Sequence, residues 1–186
     1  MHCTGSTYGT WLRGDPRGWR ARHHREHIEG DYRSRPAPGT YDEMFERSKA
    51  LMKRLGVVLE WKARVVACRV MVEALRYHEV PVKDLCVGAR HWHALAQFFP
   101  IDVETWFICE MMGDTDRDPR RLMGIAKKES ARALSREGLV APGGVWAGGC
   151  GRRYIKNEWH FNTVSKYIPD HVKQGAAVYS LLFGNP

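Results

Sequence analysis

The sequence predicts an α+β fold: an antiparallel sheet of four or five strands with helices packed mainly on one face. Short alternating runs such as Val82–Val87 and 91–98, closed by tight turn residues, read as antiparallel strands. Longer runs with apolar residues at helical spacing separate them, over about 60–78, 118–137 and 157–171. The length, 186 residues, suits a single domain over 1–186 with one proper core, here with a helical insertion around 20–56.

Residues 6–12 are rich in β-formers and read as the first strand, closed by the turn cluster 13–18. A polar loop over 19–39 follows. Its His23, His24 and His27 fit a second metal site if helical, and a phosphate-touching loop otherwise. Thr40-Tyr41-Asp42-Glu43 has the form of a capping box, with Phe45, Ser48, Met52 and Leu55 continuing at helical spacing to Gly56. A second helix is expected from Glu60 to His78, with Val65, Cys68, Val72 and Leu75 as its buried stripe and Pro81 as its stop. Gly88-Ala89-Arg90 then turns the strand 82–87 back into the strand that begins at His91. Residues 100–112 fit either a strand-edge excursion or a partner surface.

Asp118-Pro119 starts a helix, an N-cap acid followed by proline in the first turn. Leu122, Ile125 and Ala126 face inward, and Arg120, Arg121, Lys127, Lys128 and Arg132 form a basic flank. Gly138 ends that helix, and residues 145–155 read as a glycine-interrupted last strand. Asn157 caps the final helix, Pro169 should bend or interrupt it, and an apolar tail runs over 176–183.

A net charge of +8 and a pI of about 9.4 draw such a chain to polyanions, nucleic acid first. No window approaches the roughly 18 apolar residues that span a bilayer, and the first residues lack an apolar signal core. No membrane partner is expected. The five cysteines form no Cys-x-x-Cys pair, which suits a reducing, cytoplasmic setting.

Alternation along a strand puts His91 and His93 on one face and Trp92, Ala94, Ala96 and Phe98 on the other. The apolar set anchors the strand, and two neutral imidazoles stand side by side, able to grip one divalent ion. On His-x-His alone, two half-buried histidines hydrogen-bonded within a sheet remain the alternative.

The order of parts resembles the single-tyrosine transposases of the HUH endonuclease superfamily, closest to the REP-associated tyrosine transposases. The pattern of His, bulky apolar residue, His is His91-Trp92-His93. The opening 7–18, Val145-Trp146, Arg152-Arg153-Tyr154-Ile155 and the run from Trp159-His160-Phe161 through Tyr167-Ile168 to Gly175 resemble further parts of that family. The resemblance covers nearly all the chain except 20–56 and 99–117. It implies Tyr167 as the nucleophile and His91 and His93 as metal ligands. The polar third ligand four residues after the tyrosine, usually Asn or Gln, is here His171. His160, seven residues before Tyr167, is the alternative. The proline the family carries beside that ligand is replaced by Val172, and Pro169 stands between Tyr167 and His171.

The implied cofactor is Mg²⁺ or Mn²⁺. The implied partner is single-stranded or hairpin DNA, handled by a monomer or homodimer. The implied reaction cleaves and rejoins a strand through a 5′-phosphotyrosine link. Arg120, Arg121, Lys127, Lys128, Arg152 and Arg153 are the candidate phosphate contacts, with stacking from Trp11, Trp19, Tyr154 or Trp159. A non-cleaving module that binds hairpin DNA or RNA is the alternative.

Overall fold

Five strands make one antiparallel sheet in a computed structural model that describes residues 1–16, 37–99 and 117–181. They are β1 (His2–Ser6), β2 (Val82–Val87), β3 (His91–Ala96), β4 (Gly151–Arg153) and β5 (Ala177–Ser180), in the order β4-β1-β3-β2-β5. The helices are α1 (Asp42–Ala50), α2 (Trp61–Tyr77), α3 (Pro119–Arg136) and α4 (Glu158–Asp170). A 3₁₀ turn, His171–Gln174, continues from α4. The α+β class with a five-stranded antiparallel sheet is the one the sequence predicts. His23, His24, His27 and the segment 100–112 lie outside the described residues.

The chain divides into two compact units, Met1–Thr7 with Val58–Pro186, and Tyr8–Val57. In the second, α1 buries none of its residues. Tyr8 organises that unit: its hydroxyl accepts from Lys53 N–H, its carbonyl accepts from Val57 N–H, and the Arg54 guanidinium lies over its ring. Gly14, at φ +81°, lets the backbone of Phe45 approach to 2.5 Å of where a Cβ would stand. The capping box does not form. The Thr40 hydroxyl donates to Ala37 O instead, and α1 starts two residues later without a side-chain cap.

In the larger unit the hairpin pairs Val87 with Trp92 and Cys86 with His93, and β1 pairs with the other edge of β3. The histidine strand is therefore the centre of the sheet. Register sorts the residues by face. Trp92 and Ala94 share theirs with Leu85, Val87, Ala177, Tyr179, Cys3 and Gly5. All of these except Gly5 are buried, and α2 packs against β2 and β5 on this face. The Cys68 thiol donates to Leu85 O, the Arg76 guanidinium bonds the Tyr179 hydroxyl, and α3 packs on α2. Gly5 leaves room for an aromatic ring, since a Cβ there would stand 2.5 Å from the Trp92 indole. The opposite face carries His91, His93 and Leu95. There Val164 and Ile168 of α4 close a small core with Cys86, Leu95 and Ala176.

Several boundaries differ from the sequence reading. The first strand is His2–Ser6, not 6–12; Thr7 keeps a single bridge to Trp146, and the next residues turn. β-propensity favoured Thr7, Tyr8, Thr10 and Trp11, but pairing with β3 decides the strand. Val66 and Met71 belong to the buried face of α2, whereas Val65 and, on α3, Ile125 are half-buried. The expected strand over 145–155 contracts to three paired residues, interrupted by Gly149 at φ +69°. The apolar tail contains β5, an edge strand on β2.

Candidate metal centre

Each imidazole of the site is placed by a local device. His91 opens β3 directly after the hairpin turn, and its ring lies where Gly88 has no Cβ; a Cβ at Gly88 would stand 3.0 Å from His91 Cε1. His93 follows two residues on, on the same face, while the fully buried Trp92 between them pins the strand from behind. His171 comes from the end of α4. Asn157 caps the start of that helix by accepting from His160 N–H, and Val164 and Ile168 hold it on the sheet.

Pro169 does not misdirect α4. The helix carries it to Asp170 and then tightens, so that the His171 N–H bonds three residues back to Ile168 O. The Tyr167 carbonyl accepts from the His171 ring at Nδ1, 2.9 Å away. A carbonyl oxygen can only accept, so Nδ1 carries the proton and Nε2 keeps its lone pair.

The three rings converge. Centroids lie 5.3 Å apart for His91 and His93, 5.2 Å for His91 and His171, and 4.8 Å for His93 and His171. One nitrogen from each falls within 4.8 Å of the other two, a set that can hold one metal ion. Two nitrogens on one ion stand at most about 4.2 Å apart, twice a bond of roughly 2.1 Å, so binding asks for only a small inward rotation. The donor set fits a divalent ion, and two of its imidazoles, His91 and His93, are held neutral. Burial, then the neighbouring rings of His171, His91 and His2, pushes His93 down to about 3. Burial and His171 lower His91 as well. His160 does not join the cluster; its Nδ1 accepts from Lys156 N–H.

Tyr167 borders the three. Its ring meets His171 edge to face at 4.6 Å between centroids and His93 at 5.3 Å, and the side chain stays 47% exposed. Partial burial raises its pKa, with Cys86 adding to the effect, so the phenol is protonated at neutral pH.

One residue of this site escapes sequence reasoning. His2 shares the histidine face, since Thr4 pairs with His93 and Ser6 with His91. Its Nε2 lies 3.1 Å from His93 Nδ1, and its ring is 6.5 Å from that of Tyr167. Because β1 runs over His2–Ser6, alternation puts His2, Thr4 and Ser6 on one face, a signal that a strand over 6–12 does not contain.

The six basic candidates separate. Arg153 pairs with His2 and lies on the histidine face, and its charge helps to hold His2 neutral. Arg152 pairs with Cys3, on the opposite face. Arg120, Arg121 and Lys128 are exposed on α3. Lys127 is half-buried, and its ammonium donates to Ala147 O and Gly149 O, so it ties down the glycine segment before β4. A groove of about 490 Å³ beside it is lined by Lys128, Arg132, Gly144 and Trp146. Tyr154 and Trp159 are exposed.

No protein-family model, curated protein or solved structure matches the chain. No helix among the described residues is long and apolar enough to cross a membrane.

Proposed function

We propose that this chain is a metal-dependent, single-tyrosine endonuclease or transposase of the HUH kind, acting on single-stranded DNA beside a hairpin. The observation that carries the reading is the Tyr167 ring packed edge-on against His93 and His171, two of the three imidazoles that can hold an ion. A nucleophile and a cation site within one side chain of each other suit phosphoryl transfer. The net charge of +8 and the exposed arginines supply the attraction to a phosphate backbone.

In this reading His91, His93 and His171 hold Mg²⁺ or Mn²⁺, which when bound polarises the scissile phosphate and offsets charge developing on it. Arg153 borders the same face and neutralises an adjacent phosphate. Tyr167 Oη attacks phosphorus as its proton passes to solvent. The bond to the 3′ oxygen breaks, and that oxygen leaves and takes up a proton as a 3′-OH. The strand stays joined to the tyrosine through its 5′ phosphate, and a second 3′-OH reverses the exchange without an outside energy source. The raised phenol pKa means that Tyr167 is neutral before attack, so the proton must leave as the new bond forms.

Incubation with end-labelled hairpin DNA bearing single-stranded flanks, with Mn²⁺, tests this. A covalent protein–DNA adduct is expected, absent in Tyr167→Phe. Tight binding with no adduct on any substrate in a library of hairpins would instead make the chain a binding module.

A further inference from the structure

We propose that His2 is a positioning residue of the metal centre, accepting a hydrogen bond from His93 Nδ1–H and so aiming His93 Nε2 at His91 and His171. This role rests on the metal reading above and falls to a residue outside the ligand cluster.

The geometry is specific. His2 Nε2 and His93 Nδ1 are 3.1 Å apart, so one nitrogen must carry the proton and the other the lone pair. The ring planes lie 26° from parallel with centroids 5.3 Å apart, as for two imidazoles joined edge to edge through these nitrogens. This near-coplanar hydrogen bond fixes the rotation of the His93 ring. His91 is steadied by the space at Gly88 and His171 by the Tyr167 carbonyl, whereas His93, at the centre of β3, has His2. Two of the three candidate ligands, His171 and His93, then have a hydrogen-bonded outer support, and such supports fix a ligand's tautomer and ring orientation. The position of His2 follows from register: it lies opposite Leu95 on β1, one diagonal step from His93. Its Nε2 is engaged with His93, which leaves it as a support and not as a fourth ligand.

Two measurements on the full chain test this. In the metal-free protein, long-range ¹⁵N–¹H correlation of the imidazoles should find His93 as the Nδ1–H tautomer, changing in His2→Phe, which keeps an aromatic ring but offers no acceptor. His93 found as the Nε2–H tautomer in the wild-type protein would overturn the proposal. Titration with Co²⁺, followed by its visible absorption bands, should give an affinity roughly 10- to 100-fold weaker in His2→Phe, largely restored in His2→Gln, whose amide oxygen can accept. Equal affinity in wild type and His2→Phe, with both proteins folded by thermal melt, would overturn it. Complete loss of binding without rescue by Gln would also overturn it, by making His2 a ligand. Wild-type protein that binds no Co²⁺ removes the metal reading instead, and the tautomer result still decides whether His2 orients His93.

Discussion

Tyr167 and His171, one helical turn apart, meet edge to face at 4.6 Å between ring centroids, and the imidazole of the second is hydrogen-bonded to the backbone carbonyl of the first. The proposed nucleophile and the candidate ligand are thereby fixed to each other through a single turn of chain, although Pro169 lies between them. His171→Ala should raise the Mn²⁺ needed for half-maximal cleavage by roughly 10-fold or more while hairpin binding stays near wild type. His171→Asn should keep much of the activity, since its amide can still offer an oxygen. Mn²⁺ should outperform Mg²⁺ at this imidazole-rich site, because Mg²⁺ prefers hard oxygen ligands. Unchanged metal dependence in His171→Ala would remove it from the ligand set.

Gly88→Ala tests the seat of His91. The added Cβ would stand 3.0 Å from His91 Cε1 and 3.3 Å from both ring nitrogens. The ring must shift by a few tenths of an ångström. Stability should fall by only about 1 kcal/mol or less, because a half-buried ring can give way. Metal affinity should fall further, roughly 10-fold. An isothermal titration showing wild-type affinity would show that His91 tolerates the shift.

Gly5→Ala tests the other face. There the new Cβ would meet the Trp92 indole at 2.5 Å, and Trp92 is fully buried behind the two histidines. Overpacking against a ring with nowhere to move should cost roughly 3 kcal/mol, lowering Tm by roughly 6–12 °C for a chain of this size. A melt within about a degree of wild type would mean that the sheet relaxes freely at β1.

The imidazole cluster sets a pH dependence. An unfolded histidine titrates near 6.5, whereas His93 is pushed down to about 3 and His2 to about 4, in each case mainly by burial. The unfolded chain therefore binds more protons between those limits. This contribution to stability is complete above about 6.5 and is lost as the pH falls toward 3. Urea midpoints of the metal-free protein should be level across mildly alkaline pH and decline steadily below about 6.5, less steeply in His93→Asn. A midpoint that does not move between pH 7 and pH 4 would contradict the neutral cluster.

Hairpin binding should weaken steeply with salt, by roughly 0.7 in logarithmic slope for each phosphate contact on a single strand. The structure separates two neighbouring lysines in this respect. Lys128→Ala removes an exposed charge and should reduce the slope by about one contact. Lys127→Ala should lower stability through the freed carbonyls of Ala147 and Gly149 and leave the slope nearly unchanged. Equal slopes in wild type and Lys128→Ala would place the DNA elsewhere.

The alternation of His91-Trp92-His93 and the turn at Gly88 were enough to determine a hairpin with two imidazoles on one face, because a strand's period is local and a one-residue slip would bury the wrong side. Helical spacing likewise determined that Tyr167 and His171 share a face, and capping residues placed the starts of α3 and α4 at Asp118 and Asn157. Tertiary structure alone decided the rest. β1 is a strand because its backbone pairs with β3 and β4, and the weak propensity of His2-Cys3-Thr4-Gly5-Ser6 carries no trace of that. β5 is a strand because β2 offers it an open edge. Lys127 is bound inward because a glycine segment brings two carbonyls to it. His2 reaches His93 only through register between strands about ninety positions apart in sequence, a long-range pairing that no local pattern encodes.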